Sequence, residues 1–307
     1  MKAAYIEKPG GPETLLLGDV ATPQAGAGEV RVKVHAAGVG VWDAKAMKGM
    51  FGELKLPYVV GFEFAGVVDQ LGDGVTDFAA GDAVFGTDWR AGSFAEFRVA
   101  EAANMARQPR EFSHVEAAAL VVGGATALEA VVERLQLKAG ETVLITGASG
   151  GVGTLAVQIA SDAGAIVLAV ASRENHDYLR ALGARHTFDY HDSDWPEQVR
   201  KASDGGVDAL FDIAGGDTLA AAFAAVRDGG RAVGVVYGGP DAAPRGITFE
   251  RFSAGSGAAR LRRLAELADA GKLRVEIAAE LPLESAGEAL ERVLGGHTRG
   301  KVVIKLD

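Results

Sequence analysis

The stretch Ile145 to Gly153, ITGASGGVG, sets glycines at 147, 150, 151 and 153 between the apolar run TVLIT and the helically spaced VGTLAVQIA. Two readings compete for it: a helix-entry loop in which glycines relieve crowding, or a turn that holds phosphate. The setting favours the second. A strand feeds the turn and a helix with one buried face leaves it. Free amides and the positive end of a helix dipole then converge where missing Cβ atoms allow close approach. In the six-residue dinucleotide fingerprint, ASGGVG fills 148–153, with Gly150 in the close-approach slot and Gly153 in the helix-packing slot. Only the first slot departs, holding Ala148, which implies a turn residue that does not need positive φ.

Downstream the rhythm repeats. TVLIT, AIVLAV, ARHTFDY, VDALFDI and GRAVGVV are short apolar segments separated by stretches of helical spacing, and Gly164, Gly183 and Gly229 stand where those helices should stop. Strands alternating with helices imply a doubly wound parallel sheet. About twenty residues after the glycines, where an acidic side chain would suit the ribose of NAD, the chain has Ala171, Ser172 and Arg173. A hydroxyl and a guanidinium fork suit a 2′-phosphate, so NADP is favoured over NAD; the alternative for Arg173 is an exposed arginine satisfied by Glu174.

Upstream, residues up to about Val99 read as strands and turns: VRVKVH and SFAEFRVA alternate, and GFEFAGVVDQLGDGV ends in an Asp73-Gly74 turn. Ser113 and Glu116 have capping-box spacing ahead of EAAALVVGGATALEAVVERL, a helix expected to break or bend at Gly123 and Gly124. Beyond Phe252 come the amphipathic ARLRRLAELADAGKL, a strand, the helix ESAGEALERVL and a final strand KVVIKL.

Bulk properties remove several function classes. A chain of 307 residues suggests two domains, and 48% hydrophobic with 23% charged residues is an ordinary globular composition. The net charge of −10 disfavours nucleic acid and anionic membrane surfaces. There is no cysteine, which excludes disulfides, thiolate catalysis and cysteine-containing zinc sites. The N-terminus lacks the apolar core of a signal peptide, and no apolar stretch is expected to reach the ~18 residues of a membrane span. A cytoplasmic location is expected.

On these residues the chain resembles the medium-chain dehydrogenase/reductase superfamily, and within it the zinc-independent quinone oxidoreductases. The resemblance runs nearly end to end: AAGVGVWDAKAMKG, GFEFAGVV, FAAGDAVFG, AGSFAEF, AAALVVGGATALEAV, GASGGVG, the LGA of Leu182 to Ala184, DIAGGDTL and HTRGKVVI follow in order. It implies an α/β fold, a GroES-like, partly open β-barrel catalytic domain (1–116, with a return at 256–307) and a Rossmann NADP-binding domain (117–255), with a substrate cleft where they meet and a homodimer. Ser149, Gly150, Gly151 and Val152 match the pyrophosphate turn. Ser172, Arg173, Asn175 and Tyr190 match the adenosine 2′-phosphate pocket, and Thr126, Gly215 and Lys301 match positions near the nicotinamide end. Thr126 could instead bond its own helical turn, and Lys301 could be a solvated charge at a strand start. Where zinc-dependent relatives carry Gly-His-Glu, this chain has Gly61-Phe62-Glu63, and neither zinc site is expected.

The chain also departs from the family, with Gly40 where asparagine is common and Lys45 and Phe51 where tyrosines are common. Gly40, Trp42, Phe51, Phe62 and Trp89 are candidates for the substrate pocket, although core packing explains any one of the aromatics. Asp43, Lys45 and Tyr237 are candidate proton donors, with Asp43 read preferentially as a structural carboxylate and Lys45 as a solvated helix charge. Without a Lewis acid, plain alcohol dehydrogenation is disfavoured, whereas a quinone or an α,β-unsaturated carbonyl already delocalises the arriving charge. The expected reaction is hydride transfer from NADPH to such a small-molecule acceptor. The alternatives are a pathway-specific enone reductase or cyclase, and a non-enzymatic NADPH-binding protein.

Overall fold

The first 107 residues form eight strands and a short α-helix in the computed structural model, which describes every residue but Tyr237, Ala254, Ser256, His297 and Asp307. They are β1 (Lys2–Ile6), β2 (Leu16–Asp19), β3 (Glu29–Val39), α1 (Val41–Met47), β4 (Tyr58–Val59), β5 (Glu63–Leu71), β6 (Ala83–Thr87), β7 (Phe97–Glu101) and β8 (Met105–Arg107). β3 alternates as VRVKVH requires, with Val30, Val32 and Val34 buried. SFAEFRVA departs from a simple apolar-in pattern: its buried members are Ser93, Phe94, Ala95, Arg98 and Ala100. Arg98 can face inward because its Nη1 donates to Phe62 O and Ser93 Oγ and its guanidinium lies 4.7 Å from the Phe64 ring centroid.

α2 (His114–Leu128) starts from the expected capping box: Ser113 N donates to Glu116 Oε2 at 2.9 Å and Glu116 N to Ser113 Oγ at 3.3 Å. The glycine pair does not break it. The helix runs through to Leu128 and continues as a π-helical turn, Glu129–Arg134. Gly123 serves packing instead, since a Cβ there would stand 2.7 Å from the carbonyl oxygen of Gly151. One further expectation is corrected: His114–Arg134 is, by length and composition, long and apolar enough to cross a membrane. Its apolar window is 83% buried, as in the core helix of a globular protein.

Next come β9 (Thr142–Ile145), α3 (Gly153–Asp162), β10 (Ile166–Val170), α4 (His176–Ala181), β11 (Ala184–Phe188), α5 (Trp195–Ala202), β12 (Val207–Asp212), α6 (Gly216–Ala225), β13 (Val226–Gly234) and β14 (Thr248–Arg251). The six strands form one parallel sheet in the order β11-β10-β9-β12-β13-β14. That is the doubly wound order of two mononucleotide-binding halves, with its switch point between β9 and β12. Gly164 and Gly183 follow the ends of α3 and α4 with φ of +81° and +112°. Gly229 does not end a helix: α6 stops at Ala225, and Gly229, at φ +68°, sits in the irregular start of β13 where the register with β12 shifts.

The chain ends with α7 (Ala258–Asp269), β15 (Ile277–Pro282), α8 (Ala286–Leu294) and β16 (Lys301–Lys305). β16 pairs antiparallel with β3 and parallel with β15, joining the C-terminus to a sheet ordered β15-β16-β3-β5-β6-β8, with β7 also on β3. This sheet does not close into a barrel. The chain thus divides into one unit of Met1–Val122, Ser256–Gly271 and Val275–Asp307, and a second of Gly123–Gly255 and Lys272–Arg274. The three-residue return to the second unit is anchored on α3, by a 2.8 Å Lys272–Asp162 ion pair and by Gln158, which bonds both N and O of Arg274.

Candidate active site

The glycine turn lies between β9 and α3. Gly147, not Ala148, takes the left-handed conformation, with φ +60°, so alanine fits in the following slot and is fully buried. A Cβ on Gly153 would meet Gly147 O at 2.4 Å and Ala148 Cα at 2.6 Å, so that glycine lets helix and turn touch. A Cβ on Gly150 would have only Gly147 O near it, at an ordinary 3.5 Å, so its lack of a side chain answers no internal crowding. Ser149, Gly150, Gly151 and Val152 are partly exposed, and the N-terminus of α3 takes no side-chain cap. A cradle that a Cβ would fill, at an uncapped helix start, fits a pyrophosphate.

A buried polar link that the sequence reading missed braces the turn. Thr146 Oγ1 donates to Asp212 Oδ1 at 2.6 Å and accepts Ile213 N at 3.1 Å, while Asp212 Oδ2 accepts Gly215 N at 2.9 Å. The ends of β9 and β12 are thereby tied at the switch point, and Gly215 is held at φ +72° as the residue before α6. Burial pushes the Asp212 carboxyl up, against the hydrogen bonds from Thr146, Gly215 and Ala214. The signal was present in VDALFDI: an aspartate that closes an apolar strand needs a buried partner.

At the end of β10, Ser172, Arg173 and Asn175 come together. Asn175 Nδ2 donates to Ser172 Oγ at 3.0 Å, Ser172 Oγ donates to Glu174 at 2.9 Å, and Arg173 reaches the loop after β11 that carries Tyr190. Tyr190 is 38% exposed and lies against the His191 ring, 4.1 Å between centroids. Thr126 is buried near the end of α2. Tyr237 lies outside the described residues.

In the first unit, Phe51, Phe62 and Trp89 form an aromatic cluster with centroids 4.9 to 6.4 Å apart. Phe51 and Trp89 are exposed at 58% and 44%, while Phe62 is buried. The Phe62 backbone is clamped at both ends, its N–H donating to Asp43 Oδ1 at 3.2 Å and its carbonyl accepting Arg98. Gly40 has a packing reason: a Cβ there would stand 2.1 Å from the Trp42 ring, which occupies the space a larger residue would need. Lys45 is partly exposed on α1. Lys301 is not a solvated strand-start charge. It is 4% exposed, donates to Val39 O at 3.1 Å, pairs with fully buried Glu63, and lies 4.9 Å from the Trp42 ring centroid. The other Glu63 oxygen accepts Val122 N at 2.7 Å.

Both Asp43 oxygens accept backbone amides, from Gly40 at 2.8 Å and from Phe62. Burial nonetheless pushes this carboxyl from 3.8 up to about 8; the Glu63 carboxylate adds to the rise and the two amides and Lys301 oppose it. The folded protein then retains a proton that the unfolded chain releases at about pH 4, so this group's contribution to stability falls as pH rises from about 4 to about 8. Asp43→Asn is expected to flatten that part of the stability curve, at the cost of one amide hydrogen bond. Thermal melts across the window check it, and a difference between wild type and variant that does not change with pH would contradict it.

The profile of a family described as Alcohol dehydrogenase GroES-like domain matches residues 26–114, and that of Zinc-binding dehydrogenase matches 182–304. The chain is 31% identical to the quinone oxidoreductase of Mus musculus, covering 100% of this chain and 98% of that protein. It is also 31% identical to the 2-haloacrylate reductase of a Burkholderia species, with 98% of each covered. A solved structure titled as an NAD-dependent alcohol dehydrogenase superposes with a TM-score of 0.94 at 32% identity over the whole of both chains. A GroES-like unit joined to a dinucleotide-binding sheet defines the class, an oxidoreductase that binds a nicotinamide dinucleotide. The chain belongs to the medium-chain dehydrogenase/reductase superfamily, as a quinone oxidoreductase-like member. It is an enzyme of the quinone/enone reductase type, and the non-enzymatic alternative falls away.

Proposed function

We propose that this enzyme is a zinc-independent, NADPH-dependent reductase of quinones or of the activated C=C bond of α,β-unsaturated carbonyls. The observation that carries the reading is the pairing of an uncapped glycine turn with Ser172, Arg173 and Asn175 gathered at the end of β10. When bound, NADPH supplies the hydride. The amides of the turn and the dipole of α3 hold the pyrophosphate, and the Arg173 fork with the Ser172 hydroxyl holds the 2′-phosphate. The exposed rings of Phe51 and Trp89, set edge to face over buried Phe62, offer an apolar surface that orients an acceptor and sheds water.

The chain's own polar groups argue for a proton from solvent. Asp43 is 0% exposed against two amides, and Lys301 is 4% exposed and bonded to Glu63 and Val39, so neither side chain is presented to an enolate or hydroquinone anion. Zinc independence rests on the chain itself: it has no cysteine, Phe62 stands in the histidine slot, and Glu63 is committed to Lys301 and Val122. An acceptor that already delocalises negative charge needs no Lewis acid, and orientation can supply much of the remaining barrier reduction. The test is NADPH oxidation against a panel of quinones and enals. Turnover with at least one acceptor class is expected; tight NADPH binding without turnover across the panel would overturn the reading.

A further inference from the structure

Arg173, on which the NADPH reading rests, already has partners. Its Nη2 donates to Asp192 Oδ1 and Oδ2 at 3.4 and 3.3 Å, and its Nε lies 3.5 Å from Asp189 Oδ2. Both carboxylates belong to the loop after β11, and that loop is braced. Asp189 Oδ1 accepts the His191 N–H at 3.1 Å and lies 2.8 Å from its Nδ1, while Asp192 N donates to Asp189 O at 3.1 Å. Ser172 Oγ likewise donates to Glu174. The two side chains suited to a 2′-phosphate therefore face three carboxylates, none of which such a phosphate could bond while both are ionised.

We propose that Asp192, supported by Asp189, determines cofactor specificity by competing with the 2′-phosphate for the Arg173 guanidinium, and so narrows the preference for NADPH over NADH. The inference deepens the NADPH reading and depends on it. NADPH must displace Asp192 and then share the guanidinium with Asp189. NADH brings no charge to this point and leaves the pairs intact. The Arg173 side chain is 72% exposed and that of Asp192 39%, so solvent screens the pair, and competition trims the preference without abolishing it.

The experiment is a titration of NADPH and NADH, followed by nicotinamide fluorescence, into the wild-type protein, Asp192→Asn, Arg173→Ala and the double variant. Asp192→Asn is expected to tighten NADPH about three- to tenfold, leave NADH unchanged, and lose its effect in the Arg173→Ala background. An unchanged NADPH-to-NADH ratio in Asp192→Asn, with Arg173→Ala still weakening NADPH, overturns this inference alone. A gain that persists without Arg173 also overturns it, because the carboxylate would then act on the phosphate directly. If Arg173→Ala leaves NADPH affinity unchanged, the phosphate-pocket reading fails and takes this inference with it.

Discussion

Gly150→Ala is expected to leave the fold as stable as the wild type and to weaken dinucleotide binding about ten- to hundredfold, whereas Gly153→Ala is expected to damage both. The contrast follows from what each new methyl would meet. At Gly150 the nearest protein atom would be 3.5 Å away, so the added carbon occupies only space that a ligand would use. At Gly153 it would meet backbone atoms at 2.4 and 2.6 Å, and backbone cannot rotate aside as a side chain can. Turn and helix must separate, at a cost of about 3 kcal/mol. Thermal melts paired with NADPH titration distinguish the two effects. Unaltered affinity in Gly150→Ala would show that the turn is not a pyrophosphate cradle.

Lys301→Met is expected to destabilise the first unit by about 3–5 kcal/mol, because it leaves the Glu63 carboxylate buried without its counter-ion. Glu63 is 0% exposed and the Lys301 side chain 5%, so water cannot replace the lost partner. A second change, Glu63→Gln, removes the stranded charge while keeping an acceptor for Val122 N, and is expected to restore at least half of the loss. Denaturant unfolding followed by tryptophan fluorescence measures this, since Trp42 and Trp89 lie in the affected unit. A loss below about 1 kcal/mol, as for a surface pair, would contradict the assignment.

These two sites mark the boundary of what the sequence made legible. The glycine turn could be read because its information is local: a strand, four glycines within seven residues and a helix, with Gly147 absorbing the positive φ that Ala148 could not. Five strands of the parallel sheet showed as apolar runs, but the sixth, β14, is TFER at the sheet edge and has no buried residue to carry a pattern. Gly123 was misread because propensity treats glycine as a helix breaker, while packing against the Gly151 carbonyl decides its use.

Partners distant in the chain were invisible for the same physical reason. Glu63 and Lys301 are 238 positions apart, Thr146 and Asp212 66, and Arg173 and Asp192 19. Nothing in a local window announces which buried charge will meet which. Arg98 stands in an alternating strand, and the hydroxyl of Ser93 together with the carbonyl of Phe62 and the ring of Phe64, both far from it in the chain, make its burial tolerable. The identities of the Ser172 and Arg173 side chains suggested a phosphate pocket, but Asp189 and Asp192, which already face Arg173, emerge only when the loop after β11 is folded beside β10.

The central claim, that hydride passes from NADPH to an electrophilic carbon or quinone without a metal, is tested most directly with deuterium. NADPH labelled at C4 of the nicotinamide is incubated with the enzyme and an α,β-unsaturated aldehyde that it turns over, and the product is located by NMR. The account predicts deuterium on the β-carbon of a saturated aldehyde, with the α-proton drawn from solvent and the rate unaffected by a chelator. Deuterium on the carbinol carbon of an allylic alcohol would contradict it.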